Sequence, residues 1–167
     1  HRLMKNKDAA GQAIVAVIDD DQALRDALSS LFRSIGLQVR TFASAPEFLR
    51  DKLPDVPRCL VLDVRLAGQS GLEFQAELTR LGIRIPIIFM TGHGDIPMSV
   101  QAMKGGAIEF LTKPFRDQDM LDAVQLGLER DNQTRDLDRV TAKLKTAFES
   151  LTPREKDKLL IFTAALV

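Results

Sequence analysis

The strongest constraint on the fold is the order in which two kinds of sequence pattern follow one another. Short β-forming runs alternate with helical patterns five times. The runs cover residues 13–18, 38–42, 59–62, 87–90 and 107–111, and the helical patterns cover 22–35, 45–50, 72–81, 97–104 and 116–128. Regular alternation of this kind predicts a parallel sheet whose strands are joined by crossover helices.

The first and third runs are apolar on both alternating faces, which is typical of inner strands covered by helices on each side. We therefore expect an α/β fold with a doubly wound, five-stranded parallel sheet, a (βα)5 sandwich of the flavodoxin-like type over residues 13–128. Ligands of such sheets collect outside the carboxyl ends of the strands, so the residues that end each strand are the first candidates for a site.

Composition excludes several functions for the chain as a whole. Lys plus Arg and Asp plus Glu number 23 each among 167 residues, so no net field favours nucleic acid or an anionic membrane. The single cysteine, Cys59, lies in an apolar run and has no partner for an internal disulfide, which suits a reducing, cytoplasmic compartment. No apolar stretch is long enough to span a bilayer, and residues 1–12 are expected to be a flexible arm or a tag remnant.

A helical linker is predicted over residues 129–150. A nearly all-polar stretch, "ERDNQTRDLD", precedes an apolar stripe with spacings of 3, 4, 3 and 4 residues. The stripe consists of Leu137, Val140, Leu144, Ala147 and Leu151. This spacing indicates a helix with one apolar seam, out of phase with the seam of the preceding helix, so a break in register is expected. The stripe either pairs with a second chain or folds back on the body, and the sequence leaves both alternatives open.

A further helix is expected to begin just after the linker. Thr152, Pro153 and Glu155 form a capping box with proline in the first helical position. Residues 151–167 are too few to bury a core of their own, so they are interpreted as the truncated start of a second domain.

Charged and polar side chains end four of the predicted strands. They are Asp19 with Asp20, then Asp63, Thr91 and Lys113. Because parallel strands bring their carboxyl ends to one edge, we expect three carboxylates, a hydroxyl and an ammonium to meet there. Carboxylates about 4 Å apart repel by roughly 1 kcal/mol in water and by more in a cleft, and Mg²⁺ would offset that repulsion.

This set of groups suits phosphoryl transfer to a carboxylate. Asp63 can act as a nucleophile that forms an acyl phosphate. Lys113 supplies a compact positive charge for the phosphoryl oxygens, and the Thr91 hydroxyl can donate a hydrogen bond to them. The third acid of the "DDD" run, Asp21, is expected to cap the first helix.

Four segments in this order, "VIDDD", "LVLDVRLAGQSG", "FMTGHGD" and "AIEFLTKPF", resemble the receiver domain of bacterial two-component response regulators. The resemblance covers roughly residues 13–128. "TGHGDIPMSVQAMKGGA" and "LTPRE" further resemble the FixJ-like subgroup, in which the receiver is joined to a LuxR-type helix-turn-helix domain that binds DNA.

The resemblance implies roles for individual residues. Asp63 would be the phosphoacceptor, and Mg²⁺ would be held by Asp20, Asp63 and the backbone carbonyl of Arg65, with Asp19 contributing through water. Lys113 would be joined to Pro114 by a cis peptide bond.

The resemblance also implies a switch. Thr91 would reorient toward the phosphoryl group while Phe110 turns inward. The charge gained would alter a surface on the fourth helix, fifth strand and fifth helix, through which two copies dimerise.

By the same resemblance, a sensor histidine kinase would supply the phosphoryl group and the full-length output domain would bind DNA to regulate transcription. The chain would be no enzyme beyond slow self-dephosphorylation. Two alternatives remain: a haloacid dehalogenase-type phosphatase using Asp19 and Asp21, and a receiver that binds proteins without being phosphorylated.

Overall fold

The computed structural model describes residues 13–93 and 96–166. The strands are β1 (Ile14–Ile18), β2 (Gln38–Phe42), β3 (Arg58–Asp63), β4 (Arg65–Leu66), β5 (Gln69–Ser70), β6 (Ile87–Thr91) and β7 (Glu109–Thr112). The helices are α1 (Gln22–Ser34), α2 (Ala45–Arg50), α3 (Gly71–Arg80), α4 (Ile96–Lys104), α5 (Asp117–Glu149) and α6 (Pro153–Ala165). All five predicted strands are present, and their bounds differ from the predicted ones by two residues or fewer.

The main sheet has the order β2-β1-β3-β6-β7, and every neighbouring pair in it is parallel. The doubly wound flavodoxin-like fold is therefore confirmed. β1 and β3 lie side by side, with Ile18 opposite Leu62 at their carboxyl ends. The strand order reverses at this point, so the residues that follow these two strands flank the crevice where ligands bind in such sheets.

Two apolar clusters cover the two faces of the sheet. Val17 and Val61 point into one cluster, which also contains Phe32 of α1 and Met120 of α5. Ile18, Leu60 and Leu62 point into the other, beside Phe48 of α2 and Phe74 of α3. Successive residues of one strand thus enter opposite clusters, as the two-residue period of a strand requires.

The small hairpin of β4 and β5 was not predicted. It follows β3 directly and pairs Arg65 with Ser70 and Leu66 with Gln69. Its two-residue turn has Gly68 at φ 80°, the position that demands a positive φ in a type II turn. The strands have two residues each, too few for a period-two pattern to be visible in the sequence.

The helix predicted over 116–128 and the linker predicted over 129–150 form one continuous element, α5. The backbone therefore has no interruption where the apolar seam changes phase. The buried side is made by Met120, Ala123, Val124, Gly127, Leu128 and Asp131. Beyond it the stripe residues Leu137, Val140 and Leu144 are exposed.

The chain divides into two compact units, one ending at Asn132 and the other beginning at Gln133. The second unit contains the end of α5 and all of α6. The predicted capping box is confirmed: the Thr152 hydroxyl accepts from the Glu155 N–H at 3.3 Å, and the Glu155 carboxylate accepts from the Thr152 N–H at 3.4 Å. No residue of α6 is buried.

Within the described residues, no helix combines the length and apolar character needed to cross a membrane. The predicted N-terminal arm, residues 1–12, lies outside the described residues.

Candidate functional site

Four side chains from distant parts of the sequence meet at the carboxyl edge of the sheet. The Lys113 ammonium lies 2.9 Å from Asp19 Oδ2 and 2.8 Å from Asp63 Oδ2. One carboxylate oxygen from each of Asp19, Asp20 and Asp63 lies within 4.8 Å of the other two. The convergence expected from strand order is therefore present for the three acids and the lysine.

In the acidic run after β1, Asp19 faces the site whereas Asp21 caps the next helix. Asp19 is fully buried, and its Oδ1 accepts from the Asp21 N–H at 2.8 Å. The Asp21 carboxylate turns away from this contact to cap α1, where it accepts from the backbone N–H groups of Ala23 and Leu24. The expected capping role of Asp21 is confirmed, and Asp20 is left exposed at the mouth of the site.

Asp63 ends β3 and is held from both sides. Its Oδ1 accepts from the Arg65 N–H at 2.9 Å, while Lys113 donates to Oδ2. Behind it, a Cβ on Gly71 would lie 2.5 Å from the Asp63 carbonyl oxygen, so only glycine fits there without displacing backbone. Sequence reasoning missed this role of Gly71, since a steric demand from a residue eight positions earlier has no local signature.

The electrostatics of the two carboxylates differ although they share one cation. Burial acts to raise the pKa of Asp19, but the hydrogen bonds from the Asp21 N–H and from Lys113 outweigh it, so the net pKa is lowered. Burial raises the pKa of Asp63, and the bonds from Lys113 and the Arg65 N–H only partly oppose this. Burial alone would lower the pKa of Lys113, yet its bonds to Asp63 and Asp19 raise it. Lys113 is thus held as a cation beside two acids.

Thr91 ends β6 and is buried. Its hydroxyl oxygen accepts from the His93 N–H at 3.2 Å, and its carbonyl accepts from the Lys113 N–H at 2.7 Å. The main chain therefore ties Thr91 to the lysine of the site, although its hydroxyl is engaged within its own loop.

Phe110 of β7 is half-buried, with its ring centroid 6.3 Å from that of Phe89. The Lys113–Pro114 peptide bond is cis.

The donor set fits a small hard cation. Three carboxylate oxygens face one another, one from an exposed residue, and oxygen ligands of this kind suit Mg²⁺ while leaving positions for water or phosphate oxygens. Arg65, whose carbonyl the resemblance adds to this set, begins the β4–β5 hairpin two residues after Asp63.

The fold and the edge cluster define a class of protein, and comparison with known families agrees with it. Residues 15–125, about two thirds of the chain, match the family described as the response regulator receiver domain. The chain belongs to this family and is a two-component response regulator of the FixJ-like kind. The family match favours the receiver over the haloacid dehalogenase-type alternative, in which Asp21 would have to act as an acid rather than as a helix cap.

Among particular proteins, the chain is 56% identical over 160 residues to nodulation protein W of Bradyrhizobium diazoefficiens, covering 96% of this chain and 70% of that protein. It is 41% identical over 145 residues to the transcriptional regulatory protein FixJ of Azorhizobium caulinodans, covering 87% of this chain and 69% of that one. The solved structure of the response regulator StyR superimposes with a TM-score of 0.82 at 46% identity, over 93% of this chain and 78% of that chain. The chain thus spans about 70% of the length of these two curated relatives.

Proposed function

We propose that this chain is a phosphorelay receiver whose Asp63 accepts a phosphoryl group from a phosphohistidine of a sensor histidine kinase. The observation that carries the proposal is the position of Lys113, whose ammonium contacts both Asp63 and Asp19 at 2.8 and 2.9 Å. A carboxylate nucleophile beside a fixed cation, with two further acids close enough to share a divalent ion with it, has the groups that acyl phosphate formation needs.

In the transfer, one oxygen of Asp63 attacks phosphorus, the phosphorus–nitrogen bond of the phosphohistidine breaks, and the imidazole leaves with the bonding electron pair. The Lys113 ammonium pairs with the incoming phosphoryl oxygens in place of one of its present carboxylate partners. The Thr91 hydroxyl accepts from the His93 N–H, so its own proton is available to donate a hydrogen bond to the same group.

The Mg²⁺ that we propose for the site would be held by Asp20, Asp63 and the Arg65 carbonyl, with Asp19 contributing through water. When bound, it supplies positive charge that offsets the negative charge of the carboxylates and the phosphoryl oxygens. Asp20 is the exposed member of the acidic group, so the site has an open side from which a phosphoryl donor can approach.

The proposed output runs through Thr91 and Phe110 to the face formed by α4, β7 and α5. On α4, Ile96, Val100 and Met103 are exposed apolar residues at spacings of four and three, so they lie on one side of that helix. We propose that phosphorylation makes this face dimerise. Residues 151–167 would be the start of a LuxR-type helix-turn-helix domain. In the full-length protein that domain would bind DNA and regulate transcription.

The test is incorporation of label from radioactive acetyl phosphate with Mg²⁺, followed by peptide mapping of the acyl phosphate. We expect label on the peptide that contains Asp63, no label in Asp63→Asn, and full label in Asp26→Asn, which removes an exposed acid of α1. Chelation of Mg²⁺ by EDTA should abolish labelling.

Label mapped to Asp19 would instead support the haloacid dehalogenase-type phosphatase. Absence of any label under conditions that charge other response regulators would support a receiver that acts by protein binding alone.

A further inference from the structure

The second half of α5 carries an apolar stripe that the proposed phosphorylation chemistry does not use. Leu137, Val140 and Leu144 are exposed by 68%, 53% and 65%. Together with Ala147 they repeat within α5 at spacings of 3, 4 and 3, which are the a and d positions of two heptads, whereas Leu151 lies beyond the end of α5 at Glu149. Other apolar residues are exposed on α4 and α6, but these four form a regular heptad row on one side of α5.

The residues on the two flanks of the stripe distinguish parallel from antiparallel pairing with an identical helix. On one flank, at the g positions, lie Asp136, Lys143 and Ser150; on the other, at the e positions, lie Thr134, Thr141 and Phe148. An antiparallel pair that buries the whole stripe would set Lys143 against Lys143 of the second copy. A parallel pair sets Asp136 against Thr141 and Lys143 against Phe148, with no like charges opposed.

We infer that residues 137–147 pair with the same segment of a second copy of this chain as a parallel, in-register coiled coil. The parallel arrangement is self-complementary, as a twofold dimer requires. Asp136 forms an ion pair with Arg139 of its own helix at 3.1 Å. Its carboxylate therefore needs no cationic partner on the second helix.

The stripe is too short to hold two chains together by itself. Ten residue steps of helix extend only about 15 Å, and coiled coils are normally sustained over three or four heptads. Pairing here therefore depends on a second contact that raises the local concentration of one helix near the other. This inference rests on the proposed function, because dimerisation of the receivers would supply that contact.

Disulfide trapping tests both the pairing and its direction. In a parallel pair, Leu137→Cys faces its own copy, whereas in the antiparallel pair the two cysteines lie about ten residues, or about 15 Å, apart, beyond the reach of a disulfide. Ala142→Cys, on the outer side of the same helix, is the matched control. Cys59 does not compete, since it is buried and burial raises its thiol pKa.

The variants are oxidised mildly with Mg²⁺, in the presence and absence of beryllofluoride, and dimers are counted on non-reducing gels while sizing reports the oligomeric state. We expect Leu137→Cys to cross-link at least about tenfold faster than Ala142→Cys when beryllofluoride is bound, because only the stripe position meets the disulfide distance limit. A second variant, Leu144→Asp, should weaken the dimer seen by sizing while labelling of Asp63 stays unchanged.

The outcomes separate this inference from the function on which it rests. A beryllofluoride-induced dimer in which Leu137→Cys cross-links no faster than the control overturns the stripe pairing and leaves the proposed function intact. Rapid cross-linking without a beryllofluoride-induced change in size supports the pairing and contradicts phosphorylation-driven assembly. If neither cross-linking nor a beryllofluoride-induced dimer is observed, both the stripe pairing and the phosphorylation-driven dimerisation are overturned, while labelling of Asp63 decides the phosphoacceptor role separately.

Discussion

At the scale of the residue, Asp63 is placed where its negative charge serves the proposed phosphoryl transfer but is unfavourable for folding. It lies beside Asp19 in a buried setting, and burial raises its pKa more than its hydrogen bonds from Lys113 and the Arg65 N–H lower it. Asp19 shares the same lysine, yet its net pKa is lowered. At neutral pH the charge of Asp19 therefore stabilises the folded state, whereas the charge of Asp63 destabilises it. A bound cation would reverse the effect of the Asp63 charge.

We predict that Asp63→Asn is more stable than the wild-type protein at neutral pH in EDTA, by an amount on the order of 1 kcal/mol, the size of a close charge repulsion. A raised folded-state pKa means that the stability contributed by Asp63 is full below its usual value of 3.8 and is lost as pH rises through the folded value. Thermal melts from pH 4 to pH 8 should show the variant's advantage growing and then becoming constant.

Saturating Mg²⁺ provides the control for this prediction. A ligand at 100 times its dissociation constant stabilises the folded state by about 2.7 kcal/mol, so the wild-type protein should overtake the variant, which has lost a ligand. A stability difference that did not change with pH in EDTA would contradict the pKa argument.

At the scale of the element, α5 changes character along its length. Up to residue 131 it is attached to the sheet: a Cβ on Gly127 would lie 3.3 Å from Cys59 Cβ, and the buried Asp131 carboxylate accepts from the Arg58 N–H at 2.9 Å. Arg58 begins β3, the strand that ends at Asp63. The helix is thus bonded to the opposite end of the strand that carries the proposed phosphoacceptor.

We predict that Asp131→Ala lowers the free energy of unfolding of the first unit by about 1 to 3 kcal/mol, because it leaves a backbone donor without this partner. Glu129→Ala, an exposed acid on the same helix, is the control and should change stability by less than about 0.5 kcal/mol. Urea melts followed by a probe of the sheet would measure both, and equal effects would show that the Asp131 bond contributes nothing.

At the scale of the whole molecule, the two units differ in how much apolar surface they bury. The first has two clusters that cover both faces of a five-stranded sheet. In the second, α6 buries no residue and leaves Leu160, Ile161 and Phe162 exposed by 60% or more. Helices of this length without tertiary packing are marginal in water, however well their first turn is capped.

We predict that the backbone amides of α6 exchange with deuterium orders of magnitude faster than those of α3, because only the latter helix packs buried side chains, Phe74 and Leu78 among them, against the sheet. Hydrogen exchange followed by mass spectrometry on the intact chain measures both helices in one sample. Equal protection of the two helices would mean that α6 is held by contacts beyond its own capping box.

The sequence by itself determined the order of elements, the parallel sheet and the edge at which Asp19, Asp20, Asp63 and Lys113 would meet. Those results follow from local periodicity and from the rule that parallel strands end at one edge. The cap made by Asp21 and the start of α6 were predictable for the same reason, since both depend on neighbouring residues.

Only the tertiary structure decided which contacts form between distant residues. The steric demand at Gly71, the bond from Arg58 to Asp131 and the sharing of Lys113 by two acids join positions up to 94 residues apart. Sequence periodicity does not predict these contacts, because they depend on how closely two packed elements approach each other. The exposure of the stripe on α5 belongs to the same group: its spacing was visible in the sequence, but burial is a property of the folded chain.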